Sequence, residues 1–207
     1  MLTPATVHTL NKHYGGGRRH NGRDGSLGFG YLHYGIVRNL RPDRVLCVGS
    51  GQGFIPAICA LACQAAGRGH VDFVDAGYGQ EDSRHWGGIG LWKRVTPAYW
   101  DRLGIRDWIT LYVSRSEDFS PPGTYGYIYL DADHSFEGVT RDFERTWPWL
   151  QEGGMMAFHD IAVEREDYPC GAFGVRRFWQ ERIVPAFEHL SFDFSAGLGI
   201  VKKPKAD

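Results

Sequence analysis

From about residue 30 onward, short apolar runs alternate with amphipathic stretches. "RVLCVG" (44–49) is a continuous apolar run, the pattern of a strand covered on both faces. "FIPAICALACQAAG" (54–67) follows as a helix, with Pro56 tolerated in its first turn and Gly67 closing it. Four more runs predict strands: "HVDFVDAG" (70–77), "WITLYVS" (108–114), "YGYIYLDAD" (125–133) and "GGMMAFHD" (153–160). Between the last two, residues 138–150 carry Val139, Phe143, Trp147 and Leu150 at helical spacing, with Arg141, Asp142, Glu144 and Arg145 off the stripe. That stripe is core packing. Further helices are predicted over 30–40 and 174–188. In the tail, two β-type runs flank Ser195-Ala196-Gly197, which predicts an antiparallel hairpin over 191–203.

Strand–helix alternation at this spacing predicts an α/β fold: a doubly wound, mostly parallel sheet that ends in the hairpin. No linker or repeat divides the 207 residues, so one domain is expected over 1–207. A net charge of −1 offers no basic surface for nucleic acid or anionic lipid, so neither is expected as a partner. No apolar run reaches the roughly 20 residues of a membrane span, and the start lacks a signal-peptide core, so a cytoplasmic protein is expected. The cysteines at 47, 59, 63 and 170 are expected as buried thiols. A zinc pair at Cys59 and Cys63 is the alternative, but no second pair completes it.

"VGSGQGF" (48–54) joins the first strand to the first helix. Small residues there let the backbone approach a ligand, and helix-start N–H groups can receive its oxygens. The glycines stand at 49, 51 and 53, and the third glycine of the dinucleotide pattern is replaced by Phe54. That spacing suits a nucleotide-type ligand without phosphates. Asp75, ending the second strand, can accept two hydrogen bonds from a ribose diol.

Asp131 ends the fourth strand, and His159 and Asp160 end the fifth. Parallel neighbours lie roughly 4.8 Å apart, and ligands of open α/β sheets bind beyond the carboxyl ends of the strands. These three side chains can therefore converge on a divalent cation. Mg²⁺ is the first choice, with Mn²⁺ or Fe²⁺ left open by the imidazole. Asp133 or Ser135 is expected to cap the next helix.

Together, "VLCVGSGQG", "VDFVDAG" and "YIYLDADHSFEGVTRDFERTWPWLQEGGMMAFHDI" resemble class I S-adenosylmethionine-dependent methyltransferases. The resemblance is closest to the metal-dependent O-methyltransferase group that includes macrolide-sugar methyltransferases and cephalosporin-hydroxylase-like proteins. It covers roughly residues 40–180. It implies a Rossmann-like, seven-stranded methyltransferase sheet, with 41–207 as the cofactor-binding core and 1–40 as a helical, substrate-side segment. It implies S-adenosylmethionine as cofactor, held by Gly49, Ser50, Gly51, Gly53, Phe54 and Asp75, with Ser116 and Glu117 near the adenine. It implies Asp131, His159 and Asp160 as metal ligands and His134, three residues after Asp131, as the base that deprotonates a hydroxyl acceptor. Two positions depart from the family: Cys47 stands where an acid is frequent, and His159 replaces one acid of a pair. A sugar-containing or other small hydroxylated acceptor is expected, held by the Gly- and Trp-bearing segment 77–94 and the N-terminal segment. A homo-oligomer is left open. Rival expectations are a catalytically silent cofactor-binding domain and a nicotinamide-dependent oxidoreductase; a metal-dependent hydrolase is more remote.

Overall fold

The structure is a computed structural model that describes residues 2–14, 26–51, 53–76, 98–164 and 173–206. The insertion 77–94 and the 15–25 part of the N-terminal segment, both expected at the acceptor, lie outside the described residues, as does Cys170. Seven strands form one sheet in the order β3-β2-β1-β4-β5-β7-β6. They are β1 (Arg44–Gly49), β2 (His70–Asp75), β3 (Ile109–Val113), β4 (Tyr125–Asp131), β5 (Leu150–His159), β6 (His189–Phe192) and β7 (Leu198–Lys202). β1 to β5 pair in parallel, and β7 runs antiparallel between β5 and β6. The strand order reverses at β1 and β4. This is the expected doubly wound, mostly parallel seven-stranded sheet with a C-terminal antiparallel hairpin.

Alternate strand residues feed two cores, because side chains leave a strand on opposite faces. Val45, Cys47, Val71, Phe73, Tyr127 and Tyr129 enter one apolar cluster. Leu46, Val48, Val74, Ile128, Leu130 and Phe158 enter the other. The first core is covered by α3 (Phe54–Ala66), whose residues 54–63 are all buried. A helix apolar on every side needs cover on its outer face as well. α2 (Gly30–Leu40) supplies it, with Gly30 so close that a Cβ there would lie 2.5 Å from Ile58 Cδ1. Cys47, Cys59 and Cys63 are buried free thiols in this core. Burial holds Cys63 up at about 12, the opposite of what a zinc ligand needs. The second core is covered by α5 (Phe136–Thr146) and by α6 (Val175–Phe178), which runs on as a π-helical turn Trp179–Ile183.

Several boundaries differ from expectation. The helix predicted over 138–150 ends at Thr146; Trp147–Trp149, with Pro148 inside it, forms a 3₁₀ turn, and Leu150 already belongs to β5. The segment 1–40 holds a further helix, α1 (Pro4–Tyr14), and a short α4 (Ala98–Leu103) precedes β3. No helix among the described residues is long and apolar enough to cross a membrane.

At the amino-terminal edge of the sheet, Asp72 is fully buried. Arg44 Nη2 donates to both its oxygens at 2.8 Å, and Tyr125 Oη donates to Oδ2 at 2.9 Å. These three residues tie together the beginnings of β1, β2 and β4, far from the carboxyl-terminal tips.

Candidate functional site

The β1–α3 turn is built on left-handed backbone. Gly49, Ser50, Gly51 and Gly53 have φ of 73°, 131°, 53° and 82°. Gly49 is also held by space: it pairs with Asp131 in the β1–β4 register, and a Cβ on it would press on the Asp131 carbonyl oxygen, 2.6 Å from Ala132 Cα. The turn and the acidic tip of β4 are therefore in backbone contact. Ser50 Oγ is buried and has no hydrogen-bond partner among the described residues. An orphaned hydroxyl in a glycine-lined cradle at a helix start is what a carboxylate- or hydroxyl-bearing ligand would satisfy. The Phe54 ring is buried in the first core.

Across the switch point, Asp131, His134 and Asp160 each offer a ligand atom, and the three atoms lie within 4.8 Å of one another. His134 Nε2 stands 3.3 Å from Asp131 Oδ1 and 2.9 Å from Asp160 Oδ2. His159 Nδ1 lies 3.4 Å from Asp131 Oδ1 and 3.2 Å from Asp160 Oδ1. Tyr129 Oη donates to Asp131 Oδ2 at 2.9 Å. His134, His159 and Asp160 are buried, while Asp131 keeps 14% of its side chain open.

The local sequence explains this convergence. Ser135 caps α5, its Oγ accepting from Gly138 N at 3.0 Å, while Asp133 Oδ1 accepts from Ser135 N at 2.9 Å. Ser135 is thus the N-cap and Asp133, the other expected cap, instead closes the turn before the helix, where β4 ends and His134 turns back over Asp131. Phe173 packs on the imidazole at 4.9 Å between centroids, and Gly174 N donates to the His134 carbonyl at 2.7 Å. Asp160 takes φ of 66°, uncommon outside glycine. The hairpin holds it there: Asp160 N donates to Gly197 O, and Ala162 N to Ala196 O.

Electrostatics follow from geometry. Burial alone would push both imidazoles down. The bonds and charges of Asp131 and Asp160 outweigh it, holding His134 at about 9 and His159 at about 10. Burial would raise Asp131, but His159 and His134 hold it well below the usual carboxylate range, and Asp160 is lowered likewise. Two carboxylates and two imidazoliums make a neutral buried quartet. This bears on the base expected at His134. An imidazole at about 9 is already protonated at pH 7 and cannot accept a proton until the carboxylates are neutralised by something else. His134 joins the two aspartates as a set of mutually close ligand atoms, while His159, the expected imidazole ligand, lies against the same two carboxylates; the spacing D-A-D-H could not show which way the His134 ring folds.

Asp75 ends β2. Ser116 Oγ donates to the buried Asp142 at 2.5 Å, and Arg145 Nε and Nη2 donate to the carbonyls of Ser116 and Phe119. Glu117 is exposed and pairs with Arg115 at 3.2 Å. The 115–119 loop is thus held by α5, an anchoring that sequence reasoning missed. Its signal was present: Asp142 and Arg145 lie off the apolar stripe of their helix.

The family described as "Methyltransferase domain" matches residues 46–161, more than half of the chain and including the turn, β4 and β5. The chain belongs to this methyltransferase-domain family. Uncharacterized protein y4gI of Sinorhizobium fredii (strain NBRC 101917 / NGR234) is 25% identical over 170 residues; the match spans 80% of this chain and 18% of that protein's length. Among solved structures, cofactor-bound Rv0187 from MTB is similar with a TM-score of 0.69 at 14% identity, over 99% of this chain and 92% of that one. The O-methyltransferase from Bacillus cereus in complex with SAH gives 0.65 at 15% identity, over 98% and 93%. The O-methyltransferase TomG from Streptomyces achromogenes, involved in tomaymycin synthesis and solved with SAM, gives 0.65 at 14%, over 98% and 89%. These likenesses establish the Rossmann-like methyltransferase fold for the domain.

Proposed function

We propose that the domain is an S-adenosylmethionine-dependent O-methyltransferase that acts on a hydroxyl of a small, sugar-containing or otherwise polyhydroxylated acceptor with the help of a divalent cation. The observation that carries this is the backbone contact between Gly49 and Asp131, which puts a cofactor-type cradle beside an acid–imidazole cluster at the switch point of the sheet.

The cradle would hold the cofactor against the backbone of Gly49, Ser50, Gly51 and Gly53 and by the orphaned Ser50 hydroxyl. Asp75 would receive the ribose hydroxyls and Ser116 and Glu117 would lie along the adenine. The donor set fits a divalent cation: cation–oxygen bonds of roughly 2.0–2.6 Å span donors up to about twice that distance apart, and the three atoms meet that limit. Bound there by Asp131, His134 and Asp160, such a cation would lower the pKa of an acceptor hydroxyl by its charge. The chain's own work is to orient and to exclude water. Phe173 packs on the His134 ring, Gly174 ties the His134 backbone, the hairpin turn fixes Asp160, and Tyr129 bonds Asp131. Burial keeps water from competing for the methyl group. Holding the acceptor oxygen in line with the sulfonium methyl supplies much of the acceleration.

The test is calorimetric titration with S-adenosylhomocysteine, then transfer of labelled methyl to a panel of catechols and glycosides with and without chelator. Binding plus chelator-sensitive transfer to oxygen supports the proposal. Binding with no transfer to any acceptor favours a silent cofactor-binding domain, and absence of binding rejects both.

A further inference from the structure

We infer that the centre selects a first-row transition cation of the Mn²⁺, Fe²⁺ or Co²⁺ class over Mg²⁺ and Ca²⁺, with His134 as its nitrogen ligand and Tyr129 and His159 as positioning residues. This rests on the divalent centre proposed above and names its occupant.

Four features of the site carry it. The donors that converge are two carboxylates and an imidazole, not an all-oxygen set. An imidazole nitrogen is bound more readily by first-row transition ions, increasingly from Mn²⁺ to Co²⁺, than by Mg²⁺ and Ca²⁺, which take oxygen. Second, the His134 ring is packed in place over the oxygens by Phe173, 4.9 Å between centroids. The backbone that carries it is anchored by Gly174 N on the His134 carbonyl, where a Cβ at residue 174 would lie 2.5 Å from Phe136 Cα. Third, Tyr129 Oη donates to Asp131 Oδ2, which leaves Oδ1 as the oxygen facing His134. Binding through both Asp131 oxygens would compete with that bond, whereas Ca²⁺ takes six to eight oxygens and readily uses both of a carboxylate. Fourth, His134 and Asp160 are buried. A centre that strips its ion of water at three positions disfavours Mg²⁺, which dehydrates reluctantly.

His159 plays a separate part. Its Nδ1 stands 3.2 Å from Asp160 Oδ1, the oxygen that His134 does not face. At that distance the ring lies against the carboxylate without entering the donor set, the place of an outer partner that positions a metal ligand.

The protein is loaded with Co²⁺ for proton NMR, and Mn²⁺ affinity is measured by the electron paramagnetic resonance of the free ion in competition with Mg²⁺ and Ca²⁺. Wild type is expected to bind Mn²⁺ at least ~100-fold more tightly than Mg²⁺. Its Co²⁺ form is expected to show hyperfine-shifted imidazole resonances that persist in His159→Gln and vanish in His134→Gln. His134→Asp, an all-oxygen set, is expected to narrow the Mn²⁺ to Mg²⁺ preference by about tenfold or more. Unfolding midpoints check that each variant folds. Should the His134 variants fail that check, Tyr129→Phe keeps the ring and frees Asp131 Oδ2, and is expected to let Ca²⁺ compete about tenfold better. Mg²⁺ competing within tenfold of Mn²⁺ in wild type, or shifted resonances that disappear with His159 instead of His134, overturns the inference while leaving a divalent centre standing. Absence of Mn²⁺ and Co²⁺ binding altogether overturns the centre and the inference with it.

Discussion

Replacing Gly49 with alanine separates two costs that are usually confounded. The residue has φ of 73°, so any L side chain pays a conformational penalty of roughly 1–2 kcal/mol. Its new Cβ would also lie 2.5 Å from the Asp131 carbonyl carbon and 2.6 Å from Ala132 Cα, all of it backbone. Ordinary contact begins near 3.4 Å, so the tips of β1 and β4 must separate by close to 1 Å. Overpacking of that kind costs about 1–3 kcal/mol. Gly67 is the internal control. It has φ of 64°, and a Cβ there meets nothing within 4 Å. Gly67→Ala should therefore show only the conformational cost, while Gly49→Ala should be less stable than it by about 2 kcal/mol. The assay is urea unfolding of both variants, paired with titration of S-adenosylhomocysteine. Because the displaced tips are those that carry the cradle and Asp131, Gly49→Ala should also weaken ligand binding by at least ~30-fold, equivalent to about 2 kcal/mol, and Gly67→Ala should leave it unchanged. Equal stabilities and equal affinities for the two variants would refute the contact between turn and acidic tip.

Other consequences can be measured alongside. The imidazoles of His134 and His159 rise from 6.5 to about 9 and about 10 on folding, so their contribution is full below pH 6.5 and is lost as pH rises through 9–10. Asp131 and Asp160 are lowered, so theirs is present above the ordinary carboxylate value of 3.8 and is lost as pH falls below it. Metal-free protein should thus melt at a lower temperature at pH 10 than at pH 7, and His134→Gln should flatten that alkaline decline in calorimetry. Asp72→Asn leaves the Arg44 guanidinium without its charge partner and should cost about 3 kcal/mol in urea unfolding, with S-adenosylhomocysteine affinity unchanged because the pair sits at the opposite edge of the sheet. Asp142→Ala removes the anchor of Ser116 and should weaken S-adenosylhomocysteine binding about tenfold, roughly 1.4 kcal/mol, an effect absent in Glu144→Ala on the exposed side of the same helix.

The central strands were legible because burial on both faces leaves an unbroken apolar signature, and β1 begins and ends where its run does. The 30–40 helix was equally plain, its Gly30 and Val37 facing α3. Periodicity failed where a proline intervened. Leu150 fits the stripe of Val139 and Phe143, yet Pro148 had already converted the chain to a 3₁₀ turn, and Leu150 opens a strand. The helix predicted over 174–188 shortened to one turn and a π-helical turn before Pro185. α1 was missed because "PATVHTLNKHY" mixes polar and apolar residues with no clear face. In the site, adjacency of β4 and β5 brought Asp131 and Asp160 together as sequence reasoning anticipated. The place of His134 depended on Phe173 and Gly174, almost 40 residues away, and no local pattern encodes such a contact.

The most direct measurement is a crystal structure of the protein grown with S-adenosylhomocysteine and Mn²⁺, with data collected across the manganese absorption edge. The account predicts one anomalous peak bounded by Asp131, His134 and Asp160, with the cofactor's sulfur on the Gly49–Gly53 side of that peak. Cofactor density elsewhere, or a peak absent from those three side chains in a well-ordered site, would contradict it.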